Sequence, residues 1–115
     1  MTISRIIEVL EARLLTKGTD CTREVHTSCG SDMMSDVLAS VKDQAVLLTG
    51  LNNPQVVRTA DMMDMICIVF VRGKCPDDML LALAEERGIA VMATDKTMFT
   101  ACGLLYSEGL RGGVG

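Results

Sequence analysis

The residues best suited to hold a ligand fall in four short polar segments: Thr27, Ser28, Gly30 and Ser31; Thr49 and Gly50; Arg72, Gly73 and Lys74; Thr94 and Lys96. Hydroxyls, glycines and cations in this mixture suit a phosphate or carboxylate, which backbone N–H groups, helix amino ends and positive side chains can hold. Polar glycine-rich loops also serve turns and caps in any α/β domain, so an unoccupied structural edge stands as the alternative. Asp32 and Asp36 lie one helical turn apart in Ser31-Asp32-Met33-Met34-Ser35-Asp36, where like charges on one helix face repel. The helix amino end with solvent is one remedy; a cation such as Arg23, or a ligand's amine or metal, is the other. His26, just before this segment, is either a ligand contact or a satisfied strand histidine.

Other chemistries find little support. Five cysteines, Cys21, Cys29, Cys67, Cys75 and Cys102, form no CxxC pair and have one histidine to complement them, which argues against zinc or an iron–sulfur cluster. Cys67 in an apolar run and Cys102 on an apolar helical stripe read as small hydrophobes in a reducing compartment. Cys29 and Cys75 each precede an expected helix start, where the dipole can lower a thiol pKa. Gly73-Lys74 lacks both the earlier glycine and the following Ser or Thr of a phosphate-binding loop, and neither GxSxG nor HExxH occurs. With no template for catalysis and no cofactor motif, the expectation is a non-enzymatic protein.

The elements that must position these residues follow from periodicity. Ile3, Ile6, Ile7 and Leu10 behind Thr2 predict an opening helix, and Lys17-Gly18-Thr19-Asp20 a turn. Arg23 to Ser28 reads as a strand, then Ser31 or Asp32 as the cap of a helix with Met34, Val37, Leu38 and Val41 inward. Ala45 to Thr49 is a strand, and Asn53-Pro54 caps and opens the next helix. Met65 to Val71, apolar throughout, predicts the central strand. Pro76-Asp77-Asp78 starts a helix that Arg87 and Gly88 close. Ile89 to Ala93 is a strand, and Thr94 or Asp95 caps a last helix with Met98, Ala101, Cys102 and Leu105 on one face. Gly109, Gly112, Gly113 and Gly115 suggest a frayed end.

Strands alternating with short helices specify a three-layer α/β/α single domain, residues 1–110, with a largely parallel or mixed sheet and a flexible glycine-rich tail at 111–115. Crossovers of one hand bring the loops after the strands to the carboxyl edge of the sheet, so the four polar segments meet there. The ligand-binding residues expected at that rim are Thr27, Ser28, Gly30, Ser31, Asp32, Thr49, Gly50, Arg72 and Gly73.

Composition sets the outer bounds. In 115 residues, 49% are hydrophobic and 23% charged, with a net charge of −4, which fits one globular domain and not a disordered chain. The acidic balance argues against holding nucleic acid or an anionic membrane by bulk charge. The amino-terminal stretch carries Arg5, Glu8, Glu11 and Arg13, unlike a signal peptide, and Met65 to Val71 falls far short of the roughly 20 residues that span a bilayer. The expectation is a cytoplasmic protein that meets neither nucleic acid nor membrane. Its partner is a small anionic metabolite or nucleotide; the other reading is a protein–protein adaptor or homodimer with a methionine-bearing face, since nine methionines suit an adaptable core or interface.

From Thr22 to about Leu110 the chain resembles the DRTGG domain. Thr22-Arg23-Glu24-Val25 stands at the family's Asp-Arg start, and Ser31-Asp32-Met33-Met34-Ser35-Asp36-Val37-Leu38 is similar to its Ser-Asp-Leu-Leu-Ser-Asp-Val segment. Asn53-Pro54, Pro76-Asp77, Ala84-Glu85-Glu86-Arg87-Gly88-Ile89 and Thr94 follow in family order. His26-Thr27-Ser28 replaces the Thr-Gly-Gly of the signature and Thr22 its Asp, leaving Arg23; Thr27-Ser28 restricts the backbone approach that paired glycines permit. The resemblance implies a three-layer α/β fold, a regulatory or sensing role with nucleotide-related or metabolic partners, no catalytic residue, and genes for hydrogenases or histidine kinases nearby.

Overall fold

A computed structural model describes residues 1–39 and 44–112. The described residues form, in order, α1 (Ile3–Leu10), β1 (Arg13–Leu14), β2 (Thr27–Gly30), α2 (Met34–Leu38), β3 (Ala45–Thr49), α3 (Gln55–Met62), β4 (Cys67–Phe70), α4 (Asp78–Glu86), β5 (Ala90–Ala93) and α5 (Met98–Ser107), so that strands and helices alternate from β2 onward. They build one sheet in the order β1-β5-β4-β3-β2. The four strands β2 to β5 run parallel, while β1 pairs antiparallel with β5 at one margin. The mixed α/β sheet expected from the alternation is thus present, with β4 at its centre.

Side-chain alternation along the strands makes two cores. Cys67 and Val69 of β4 face the layer of α1 and α5, where Ile3, Ile6, Leu10, Ala101 and Leu105 are buried. Ile68 and Phe70 face α2, α3 and α4, against Val37, Val56, Ala60, Leu80 and Ala84. Each fully buried Ile, Leu or Phe contributes about 1.5–3 kcal/mol by leaving water, so β4 is held from both sides.

Local chemistry sets the helix ends. The Thr2 hydroxyl accepts from Arg5 N–H at 3.1 Å and starts α1. Asp77 accepts from Leu80 N–H at 2.9 Å and starts α4, which Arg87 closes before Gly88. Pro54 is the cap position of α3 rather than its first turn, and the Asn53 Oδ1 beside it accepts from Gln55 N–H at 2.8 Å.

Several expectations are corrected. The strand read at Arg23 to Ser28 lies instead at Thr27–Gly30, because pairing begins where β3 supplies a partner, at Thr27 beside Ala45. Upstream, Arg23 and Val25 bond the amino-terminal segment, with Ile3 N–H to Arg23 O and Val25 N–H to Met1 O. Strand β1 was not expected; two residues are too short to show alternation. The cap of α2 is Met33, without a side-chain bond, rather than Ser31 or Asp32. The cap of α5 is Thr97, accepting from Thr100 N–H, rather than Thr94 or Asp95. Val41 lies outside the described residues, as do Gly113 and Gly115. Arg111, placed by sequence in the tail, is bridged to Thr27, and Leu110 before it is buried.

Candidate functional site

The carboxyl ends of β3, β4 and β5 and the residues after β2 meet at one edge of the sheet. There Asp32 does not lie on the helix. Its Oδ1 accepts from Gly50 N–H at 2.6 Å and from the Thr49 hydroxyl at 3.1 Å, tying the loop after β2 to the end of β3. The Arg72 guanidinium is the nearest cation, at 3.8 Å from Asp32 Oδ2, with both side chains about half exposed. Asp32 and Asp36 therefore do not share one helix face as expected, and the cation facing Asp32 is Arg72 and not Arg23. Arg23 donates instead to Gly88 O at the other end of the sheet.

Backbone geometry brings Arg72 to this position. Arg72 and Gly73 take successive left-handed conformations, with φ +59° and +68°. Their N–H groups donate to Lys96 O and Thr94 O, each at 2.8 Å, which welds the loop after β4 to the loop after β5. A left-handed arginine is strained, whereas glycine adopts the same region freely, so Gly73 makes the turn feasible. Gly50 is there for a different reason: a Cβ on it would stand 2.3 Å from Arg72 Nη2, so the guanidinium lies across bare backbone.

Thr94, expected as a cap, is buried, and its hydroxyl donates to Leu10 O at 2.7 Å while accepting from Lys96 N–H at 3.3 Å. Two further ion pairs lie at the edge: Lys96 stands 3.8 Å from Glu11 and Arg13 4.0 Å from Asp95. Cys75 is exposed, its thiol 3.7 Å from Arg13 Nη2, while Asn52 donates to Cys75 O at 3.2 Å. Arg13 and Asn52 carried no sequence signal, since the first belongs to the unexpected β1 and the second to an unremarkable loop.

Thr27 and Ser28 are not at this rim. Thr27 stands beside Ala45 at the amino end of β2, and Ser28 N–H donates to Arg111 O at 3.0 Å, so both belong to the opposite half of the strand. Gly30 and Ser31 are at the carboxyl end, but a Cβ on Gly30 would come within 2.8 Å of Cys102 Sγ, and the glycine serves the packing of α5 over β2. The Ser31 hydroxyl accepts from Met33 N–H at 3.0 Å in a turn. Cys29 lies within β2, four residues before the Met33 cap of α2, and so is not at a helix amino end. His26 is exposed outside β2 and lines a cavity of about 500 Å³ with Met1, Arg5, Glu108 and Leu110, away from the rim.

The amino edge has a different character. Cavities of about 210 and 440 Å³ flank the Arg23 guanidinium and share Gly88 and Ile89. Beside them the Thr22 hydroxyl and N–H donate to Asp20 Oδ1 at 2.5 and 3.0 Å, and with the Arg23 charge they hold the Asp20 carboxyl below its ordinary value. Arg87 pairs with Asp61. Burial pushes the Cys67 thiol up to about 12, and it raises Cys102 in the same direction, so neither is a ready thiolate. Among the described residues no group of three His, Cys, Asp or Glu is placed to hold a metal, and no helix is long and apolar enough to cross a membrane.

A mixed sheet between two helical layers, with tied polar loops at its carboxyl edge, defines an α/β domain of the kind that the sequence resemblance implies. Residues 5–107 match the DRTGG domain, and the chain belongs to that family. Its fold is similar to that in the crystal structure of the CBS and DRTGG domains of the regulatory region of Clostridium perfringens pyrophosphatase, complexed with the activator diadenosine tetraphosphate. The match has a TM-score of 0.75 at 17% identity, over 90% of this chain and 45% of that one, so this chain spans less than half of that chain's length. No curated protein matches the chain.

Proposed function

We propose that this protein is a non-catalytic regulatory module of the cytoplasm that binds a small anionic metabolite or nucleotide at the carboxyl edge of its sheet. The observation that carries the reading is the Asp32 cradle: Gly50 N–H, the Thr49 hydroxyl and the Arg72 guanidinium already surround a carboxylate. Gly50 N–H and the Thr49 hydroxyl are committed to Asp32, so the half-exposed Arg72 guanidinium, with five N–H donors, is the group that can hold a further anion. Asp32 positions the loops, Gly73 sets the turn, and Arg72 supplies the counter-charge. Gly30 and Ser31 support the first loop; Thr27 and Ser28 are not part of the site. Five free thiols suit a reducing compartment, and the pyrophosphatase region with the same fold was crystallised with a nucleotide activator.

Thermal-shift measurements with ATP, AMP, diadenosine tetraphosphate and inorganic phosphate test this reading, combined with amide spectra. We expect at least one nucleotide to raise the melting temperature and to move the signals of Gly50 and Gly73, and Arg72→Ala to abolish both effects. If no probe shifts either observable, or if the response survives in Arg72→Ala, the edge is not the site.

A further inference from the structure

Arg72 approaches its counter-charge without bonding to it. Its Nη2 stands 3.8 Å from Asp32 Oδ2, a distance at which charges attract but no hydrogen bond forms. The contact offsets the charge of Arg72 and leaves its side-chain N–H groups unspent. The other oxygen of the same carboxylate is engaged: Oδ1 accepts from Gly50 N–H at 2.6 Å and from the Thr49 hydroxyl at 3.1 Å. Asp32 cannot swing away without breaking both bonds, so its negative charge is fixed beside Arg72. The guanidinium is confined as well. It lies across Gly50, where a Cβ would stand 2.3 Å from Nη2, and Arg72 N–H donates to Lys96 O at 2.8 Å.

An anion that takes the N–H groups of Arg72 thus meets a carboxylate that stays in place. The attraction of the guest to a charged site rises in proportion to the guest's own charge, and here it is small because Asp32 offsets Arg72. The cost of removing the guest from water rises with the square of that charge, as Born solvation requires. When the first is small the second decides, and the guest with fewer charges is favoured. A phosphomonoester carries nearly two negative charges at neutral pH, its second pKa being about 6. A phosphodiester carries one, yet keeps two free oxygens for the fork of a guanidinium. Of the other charged groups at the rim, Arg13 faces Asp95 at 4.0 Å, Lys96 faces Glu11 at 3.8 Å, and Lys74 is exposed to solvent. Asp32 is the charge that bears most directly on Arg72.

Resting on the reading of this edge as an anion site, we infer that Asp32 is a specificity-determining residue. It makes the site select a singly charged phosphoryl group, that of a nucleotide phosphate esterified on both sides, over the dianion of a terminal phosphomonoester. Like-charge juxtaposition is a general means of rejecting the wrong partner.

Adenosine monophosphate and its methyl phosphodiester share base and ribose and differ by one charge, so calorimetric titration with both isolates the effect. The ester is expected to bind the wild-type protein with a Kd several-fold lower. Asp32→Asn keeps an oxygen for Gly50 N–H and the Thr49 hydroxyl while removing the charge. It is expected to tighten both ligands, the monophosphate by about three- to tenfold more than the ester. Lys74→Gln removes the exposed cation and is expected to leave the ester preferred. The comparison on the wild-type protein needs no variant and decides the matter even if Asp32→Asn fails to fold. A monophosphate bound as tightly as its ester, or a ratio unmoved by Asp32→Asn, overturns the inference while the anion site stands, provided that Arg72→Ala abolishes both titrations. If neither ligand binds, or if binding survives Arg72→Ala, the reading of the edge falls and this inference falls with it.

Discussion

The two ends of the sheet have been furnished in opposite ways. At the carboxyl edge, donors converge: Gly50 N–H, the Thr49 hydroxyl and Arg72 surround the Asp32 carboxylate, and the loops after β4 and β5 are bonded to each other. Among the described residues, an open groove of about 290 Å³ at Asp95 to Thr100 lies beside them. At the amino edge there is space, in the cavities of about 210 and 440 Å³ beside Arg23, but the charged groups there are scattered among partners of their own. The amino-edge cavities are the more enclosed, while the converging donors lie at the opposite edge beside an open groove. An anion bound at the carboxyl edge, as proposed, is expected to lie in this open groove and to show a marked dependence of affinity on salt.

The largest test of this contrast lies beneath the carboxyl edge. Phe70, fully buried, is the last residue of β4, and Phe70→Ala is expected to cost about 3–5 kcal/mol in urea denaturation. A loss below about 1 kcal/mol would mean that the underside of this edge collapses readily and is no better packed than the other. Next come two buried hydroxyls, one for each side of the comparison. Thr94 ties the β5 loop to Leu10 O at the carboxyl edge. Thr16 accepts from Val91 N–H at 3.1 Å behind the amino-edge cavity. Thr94→Val and Thr16→Val are each expected to lower stability by about 1–3 kcal/mol, since each leaves a buried backbone group unpaired. Only Thr94→Val is expected to weaken nucleotide binding; equal losses of binding would erase the distinction between the two edges.

The last effect concerns pH and is confined to alkaline solution. Cys67, at the amino end of β4, has its thiol raised from 9.0 to about 12 by burial, with the neighbouring Cys21 adding to the shift. The folded state therefore keeps the proton that the unfolded chain releases. That contribution is whole below pH 9.0 and is lost as pH rises toward about 12. Denaturation midpoints should fall through this window, and the fall should be shallower in Cys67→Ala; identical slopes in the two proteins would show that Cys67 is not the group responsible.

Much of the architecture was legible because it rests on local signals. The apolar run Met65 to Val71 marked the central strand, Thr2 and the run Pro76-Asp77-Asp78 marked two helix starts to within two residues, and Arg87 with Gly88 marked a helix end. The misplaced elements were those decided by distant partners. β2 starts at Thr27 because Ala45 is beside it, and β1 exists because Val91 and its neighbours offer an edge. Asp32 had the residue type and spacing of a cap, yet the Gly50 amide across the loop competes for its carboxylate and wins. The meeting of Gly50, Arg72, Gly73 and Thr94 followed from the crossover rule alone, whereas the ion-pair partners depend on side-chain directions that periodicity does not carry.

Both margins of the sheet end in something short. β1 contributes two residues at one side, and at the other Arg111 lies against Thr27 and Ser28. Long bare backbone margins recruit strands from other molecules and seed fibrils. With each border blunted, crowding this protein should bring copies together through their side chains, reversibly, rather than by extending the ladder from one molecule into the next.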